Sequence, residues 1–214
     1  ERGQRSQVHK KVMELSDEST LILHSDCDEF PDKTKFAELR EQTKDLFLQV
    51  VSLGQPTYYY SPLNLLEITW YGTVAFNHQT LINLTDYFSV RENRFHSLHM
   101  ENAGWHFSFF TSPEQIQHKL RTYAHQEYNT PELTELETIK YKMYNGLDVL
   151  NRPDVKIKKL EQVGCDFPIE FYRHDLFFRN TFDRVPLKHQ NIPSMEVRYG
   201  RREKNNHQHD GGKA

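Results

Sequence analysis

Leu21-Ile22-Leu23-His24-Ser25-Asp26-Cys27-Asp28-Glu29-Phe30-Pro31 decides how this chain is read. A short apolar run stops at two acids one residue apart, with a third acid beside them and a proline closing the segment. The run has the length and flanks of a buried strand. Its carboxylates fall at the C-terminal end, where open α/β sheets place their ligand sites. In an extended backbone, alternation puts Asp26 and Asp28 on the same side. Two hard oxygen donors so placed suit Mg²⁺ or Mn²⁺ carrying a substrate diphosphate. Acids also cluster in ordinary solvated turns, and this stretch alone leaves both readings open.

The bulk properties narrow the field. A chain of 214 residues can build one domain with a substantial core. A formal net charge of -3 and a pI near 6.5 give no global pull toward nucleic acid or an anionic membrane. No window reaches the apolar length of a spanning helix, and no signal-peptide pattern is present. Cys27 and Cys165 are too few for a disulfide scaffold and lack metal-binding spacing; Cys27 reads as a small packing residue. With 11 Tyr and 14 Phe the chain is rich in aromatics, which suits sugar binding but suits an ordinary core better.

Around the acidic strand, a charged segment with Val8, Val12 and Leu15 at helical spacing predicts a helix over 1–16. Thr34 is placed to cap a second helix through about Thr43, with Phe36 and Leu39 inward. Residues 46–53 and 57–60, separated by Gly54 and Pro56, predict two neighbouring strands, and 70–76 another. Ser112-Pro113-Glu114-Gln115 is a helix start with a capping box. Ile116, Leu120 and Tyr123 mark that helix's buried stripe. A further helix is expected from Thr130 to Asn145-Gly146, with Leu133, Leu136, Ile139 and Met143 inward. Val155 to Leu160 alternates apolar residues with lysines, as an edge strand does. One domain over 1–200 is expected, followed by a disordered polar tail, 201–214.

Two further clusters carry chemistry. In Asn102-Ala103-Gly104-Trp105-His106-Phe107-Ser108, Gly104 allows close backbone approach, Trp105 can stack, and His106 can ligate or hydrogen-bond. A buried strand with Trp105 in the core accounts for the same residues. His125-Gln126-Glu127-Tyr128-Asn129 follows the capped helix, where a histidine is also explained by the helix dipole.

Taken in order and spacing, the Asp26–Pro31 segment, Trp70-Tyr71-Gly72-Thr73, Asn102–Ser108 and His125–Asn129 resemble glycosyltransferase family 17, as does Glu1-x-x-Gln4-Arg5 upstream. This is the family of the β-1,4-mannosyl-glycoprotein 4-β-N-acetylglucosaminyltransferases, and the resemblance covers about residues 1–175. It implies an α/β, GT-A-like fold with a mixed central sheet flanked by helices, its N-terminal strands missing from this chain. It also implies an inverting transferase that moves N-acetylglucosamine from UDP-GlcNAc to a glycan hydroxyl, as in protein N-linked glycosylation. The implied cofactor is Mn²⁺, or Mg²⁺, held by Asp26, Asp28 and His106. Asp26, Trp105 and His106 would contact the donor, and Glu127, or next Glu29, would be the catalytic base. Partners would be the donor and a glycan acceptor, with no nucleic acid and no membrane segment in this chain. A degenerate carbohydrate-binding module and a metal-dependent hydrolase of sugar phosphates or nucleotides are the competing readings. Microbial relatives suggest a cytoplasmic enzyme; eukaryotic ones suggest the Golgi lumen, with an anchor upstream.

Overall fold

The computed structural model describes residues 2–44, 50–84, 89–92, 94, 97–161 and 167. Helix α1 (Arg2–Leu15) leads to strand β1 (Leu21–His24), the turn 25–28 and β2 (Glu29–Pro31). A 3-10 turn precedes α2 (Phe36–Lys44). Then come β3 (Val51–Leu53), β4 (Gln55–Tyr59), β5 (Asn64–Trp70), β6 (Val74–Asn77), α3 (His78–Asn83) and α4 (Ser89–Glu92). The remainder is β7 (Leu98–Met100), β8 (Gly104–Ser108), α5 (Pro113–Thr122), a 3-10 turn (Gln126–Tyr128), α6 (Pro131–Thr134), α7 (Leu136–Asn145) and β9 (Ile157–Lys159).

The strands form two mixed sheets, ordered β1-β6-β3-β7 and β2-β8-β4-β5-β9. One seam joins them. β3 runs into β4 through Gly54, and β7 runs into β8 through residues 101–103, so two long strands lie parallel across both sheets. The Gly54 and Ala103 amides bridge the crossing, donating to Met100 O at 2.8 Å and Gly54 O at 2.9 Å. Residues 71–73 carry the chain from β5 to β6 at the same level, and residues 25–28 carry it from β1 to β2. Four chain crossings therefore meet where the acidic turn lies.

Packing follows the apolar pattern on each face. Ile22 is buried with Val74, Phe76 and Leu81 on one face of the first sheet; Leu21 and Leu23 pack with Leu39, Val51 and Leu53 on the other. A third cluster lies under α5 and α7, where Tyr59, Tyr60, Phe109, Ile116, Leu120, Ile139 and Met143 meet. In the second sheet Trp105 and Phe107 point to one face with Tyr58 and Phe167. His106, one residue out of phase, points to the opposite face.

The helix signals hold in their chemistry more than in their bounds. Ser112 accepts from the Gln115 amide at 3.3 Å, while Gln115 Oε1 reaches back to Thr111 and to the Ser112 amide, completing the expected capping box. Thr34 is not a cap but lies within the 3-10 turn Lys33–Lys35 that leads into α2, and Asp32 caps that turn, its carboxylate accepting from the Thr34 amide at 2.9 Å. The single helix expected from Thr130 breaks at Glu135, whose extended backbone separates α6 from α7; it closes at Gly146 as expected. In α1, Val12 packs inward with Met13, while Val8 and Leu15 are exposed. β3 and β4 are not partners of each other; they are successive parts of one extended run. Among the described residues β9 is an edge strand, pairing with β5 alone. Residues 46–49, Cys165 and the tail 201–214 lie outside the described residues.

Candidate functional site

Glu29 is the centre of a buried charge knot at the seam. Its side chain has no solvent exposure, and both oxygens are fully used. Oε1 accepts from Trp70 Nε1 at 2.7 Å and pairs with the Arg91 guanidinium; Oε2 accepts from the Asp26 amide and Thr73 Oγ1, each at 3.0 Å. Arg91, itself 6% exposed, also pairs with the Asp26 carboxylate and donates from Nε to Gly72 O at 2.9 Å. Gly72 is required by this crowding. A Cβ there would overlap the Glu29 carboxylate and the Trp70 indole nitrogen. A carboxylate with two donors on each oxygen has no lone pair left for an acceptor hydroxyl. Glu29, the second choice for the base, is thus placed as a framework residue.

The acidic turn is not extended. Residues 27–28 form a turn, so Asp26 and Asp28 face different partners instead of sharing one side. Asp26 goes to Arg91. Asp28 goes to the opposite wall, where its Oδ1 lies 3.8 Å from His106 Nε2. Cys27 between them is exposed, not a packing residue.

Strand register delivers His106. Glu29 on β2, His106 on β8 and Thr57 on β4 form one row across three strands. Thr57 Oγ1 and His106 Nδ1 are 3.1 Å apart, fixing the ring's far side. The Trp70 indole, anchored by Glu29, stacks on the imidazole with centroids 5.3 Å apart. The Asp28 backbone is tied to the same strand, its carbonyl accepting from the Phe107 amide at 2.8 Å. Burial pushes the Asp28 carboxyl up, but the His106 ring and then Lys119 outweigh it and hold the group below its ordinary value.

Trp105, expected to touch the donor, is buried in the apolar cluster behind the strand. Alternation explains this: if His106 faces the site, Trp105 faces away. Gly104 does allow close approach, but to the β2 backbone, where an added Cβ would overlap Phe30 O; its φ is +148°.

Glu127 lies apart, in the 3-10 turn after α5. It is 60% exposed and paired with His125 Nδ1 at 2.9 Å. A backbone hydrogen bond, then the His125 ring, hold its carboxyl below the ordinary value, so it is ionised across the neutral range. Lys119 on α5 lies over Phe109, 4.7 Å from the ring centroid, two residues beyond Phe107.

Among the described residues, no three of His, Cys, Asp and Glu converge to hold a metal ion. The donor set that does converge, one carboxylate and one imidazole, does not make a closed protein cage. Such a set could serve only an ion that takes most of its ligands from water and substrate phosphates, as Mg²⁺ does.

Sequence inspection missed Arg91, Trp70, Thr73 and Thr57. Trp70 and Thr73 flank Gly72 in a quoted motif, and a glycine between an indole and a hydroxyl was a usable hint of close packing. Arg91 carried no such signal, since a buried arginine reads like any helical surface arginine.

Two mixed sheets flanked by helices are consistent with the α/β fold of a glycosyltransferase. The sequence matches the model of glycosyltransferase family 17 over residues 1–154, and the chain belongs to that family. It is accordingly a glycosyltransferase, acting on a sugar donor and an acceptor. No described helix is long and apolar enough to cross a membrane. No curated protein and no solved structure gives a significant match.

Proposed function

We propose that the chain transfers N-acetylglucosamine from UDP-GlcNAc to a glycan hydroxyl, mannose or a related sugar, by one inverting displacement. The observation that carries this reading is the convergence of Asp28 and His106 at the C-terminal end of β1, beside the rigid Glu29–Arg91 knot. Asp26 is tied to that knot through Arg91 and remains partly exposed, while Asp28 faces His106. His106 has two forms that suit this site. When Thr57 donates to Nδ1, the Nε2 proton faces the Asp28 carboxylate. When Nδ1 donates to Thr57, Nε2 offers a lone pair instead. In the second form Asp28 and His106 would hold a divalent ion, Mn²⁺ or Mg²⁺, with Asp26 contributing directly or through water. Such an ion offsets charge that develops on a leaving diphosphate.

The chain's own residues supply the rest. Arg91 and Glu29 fix the turn, so that Asp28 need not be ordered at the moment of reaction. Glu127 is the base in this reading. It is ionised at neutral pH and open to an incoming acceptor, so it can take the hydroxyl proton as the new bond forms.

Incubation with UDP-GlcNAc, Mn²⁺ and a mannose-terminated oligosaccharide tests the proposal, with products examined by proton NMR. A new β-configured GlcNAc anomeric signal that appears only with acceptor is expected. UDP release without acceptor, at the same rate, would instead identify a hydrolase.

A further inference from the structure

The acidic turn leaves the acceptor unplaced, and the segment after α5 has the chemistry to hold it. Tyr123 and Tyr128 are half-buried on the rim of the α5–α7 cluster, with rings 28° from parallel and centroids 6.5 Å apart. His125 completes a triangle of rings, 5.6 Å from Tyr123 and 6.4 Å from Tyr128. Around these rings stand exposed planar polar groups: Gln126, Glu127 and Asn129. They are ordered before any ligand arrives. Gln126 Nε2 donates to Tyr123 O at 2.6 Å, and Asn129 Nδ2 donates to Gln126 Oε1 at 2.9 Å.

Behind the rings lies a locked cation. Arg152 donates to both Asp148 oxygens, each at 2.9 Å, and Asp148 also accepts from buried Tyr59 at 2.7 Å. Half-buried rings edged by planar hydrogen-bonding groups are suited to a pyranose, whose C–H face stacks while its hydroxyls bond outward. The location is right as well. Lys119 and Tyr123 are one helical turn apart on the same face of α5. Lys119 covers Phe109, and Phe107 holds the Asp28 carbonyl. Lys119 is also near enough to Asp28 for its charge to act on that carboxyl, and Tyr123 follows it by one helical turn.

We propose that Tyr123, His125, Gln126 and Tyr128 form the acceptor subsite, a platform for a neutral hexose of the acceptor glycan. The inference rests on reading the chain as a sugar transferase, and it adds where the acceptor docks. His125 and Gln126 are positioning residues; Tyr128 provides the stacking face. The preformed turn means the acceptor can bind in the absence of donor.

The test is direct binding of mannotriose, with lactose as comparator, by saturation-transfer NMR without donor, paired with acceptor and donor KM values. The wild-type chain should bind one of the two sugars. Gln126→Ala and Tyr128→Ala should each raise the acceptor KM by about tenfold, as expected for loss of one stacked or oriented contact. The donor KM should not change. Tyr128→Phe keeps the stacking face and should restore binding, which separates recognition from any loss of folding in Tyr128→Ala. Unchanged acceptor KM in Gln126→Ala together with unchanged sugar binding in Tyr128→Ala would overturn the platform. Absence of UDP-GlcNAc binding by the wild-type chain would overturn the donor reading instead, and it is measured separately from sugar binding.

Discussion

Glu29 and Glu127 are both acids in short polar segments, and both are candidates for the same catalytic task, yet the fold gives them opposite surroundings. Glu29 is sealed at the seam between two sheets, with two donors on each oxygen and an arginine against it. Glu127 stands in solvent with one histidine beside it. The first carboxylate has every oxygen engaged and organises its neighbours; the second is open to solvent and organises little. A carboxylate's role in this molecule is thus set by how many donors the fold spends on it.

The widest separation between the two regions should appear in stability. Arg91→Met strands the Glu29 carboxylate in a buried site and should cost about 3–5 kcal/mol. Glu127→Gln should leave stability close to that of the wild type, as exposed substitutions usually do. Urea denaturation of both variants checks this, and similar midpoints would erase the contrast.

Turnover should reverse the order of importance. Glu127→Gln should lower kcat by roughly 100-fold or more, the range of a positioned base, with the donor KM unchanged. Near-normal kcat in stopped or continuous UDP-release assays would remove Glu127 from the base position.

These two regions also differ in how readable they were. The acidic strand, the capping box at Ser112, the C-cap at Gly146 and the edge strand near Ile157 were legible, because each rests on local chemistry over a few residues. The knot was not. Glu29, Trp70, Thr73 and Arg91 span 62 residues of sequence between Glu29 and Arg91, and only the seam brings them together. The extended reading of Asp26 to Asp28 failed for the same reason: Arg91 pulls one acid away while β8 holds the next. His106 and Trp105 had to exchange emphasis, since pleating lets only one of two adjacent residues face the site.

A smaller effect probes the row across β2, β8 and β4. Thr57→Val removes the hydroxyl that orients His106 and should weaken Mn²⁺ affinity about tenfold, the low end for an outer-shell partner. Manganese titration followed by electron paramagnetic resonance reads this without turnover. Unchanged affinity would detach Thr57 from the site.

The smallest effect expected is a pH shift. Glu127 is held below its ordinary value of 4.5, so kcat should hold on acidification until pH falls below that value. His125→Ala removes one cause of the lowering and should move the acidic limb upward toward 4.5. A limb that does not move, or moves down, would show that the pair does not govern the rate.

The most direct measurement is calorimetric titration of UDP-GlcNAc with and without Mn²⁺, on the wild-type chain and on Asp28→Asn, using UDP-glucose as comparator. Binding should require the metal, prefer the GlcNAc donor, and be lost in Asp28→Asn while the fold persists. Donor affinity that is indifferent to Mn²⁺, or unchanged in Asp28→Asn, would contradict the proposed donor site.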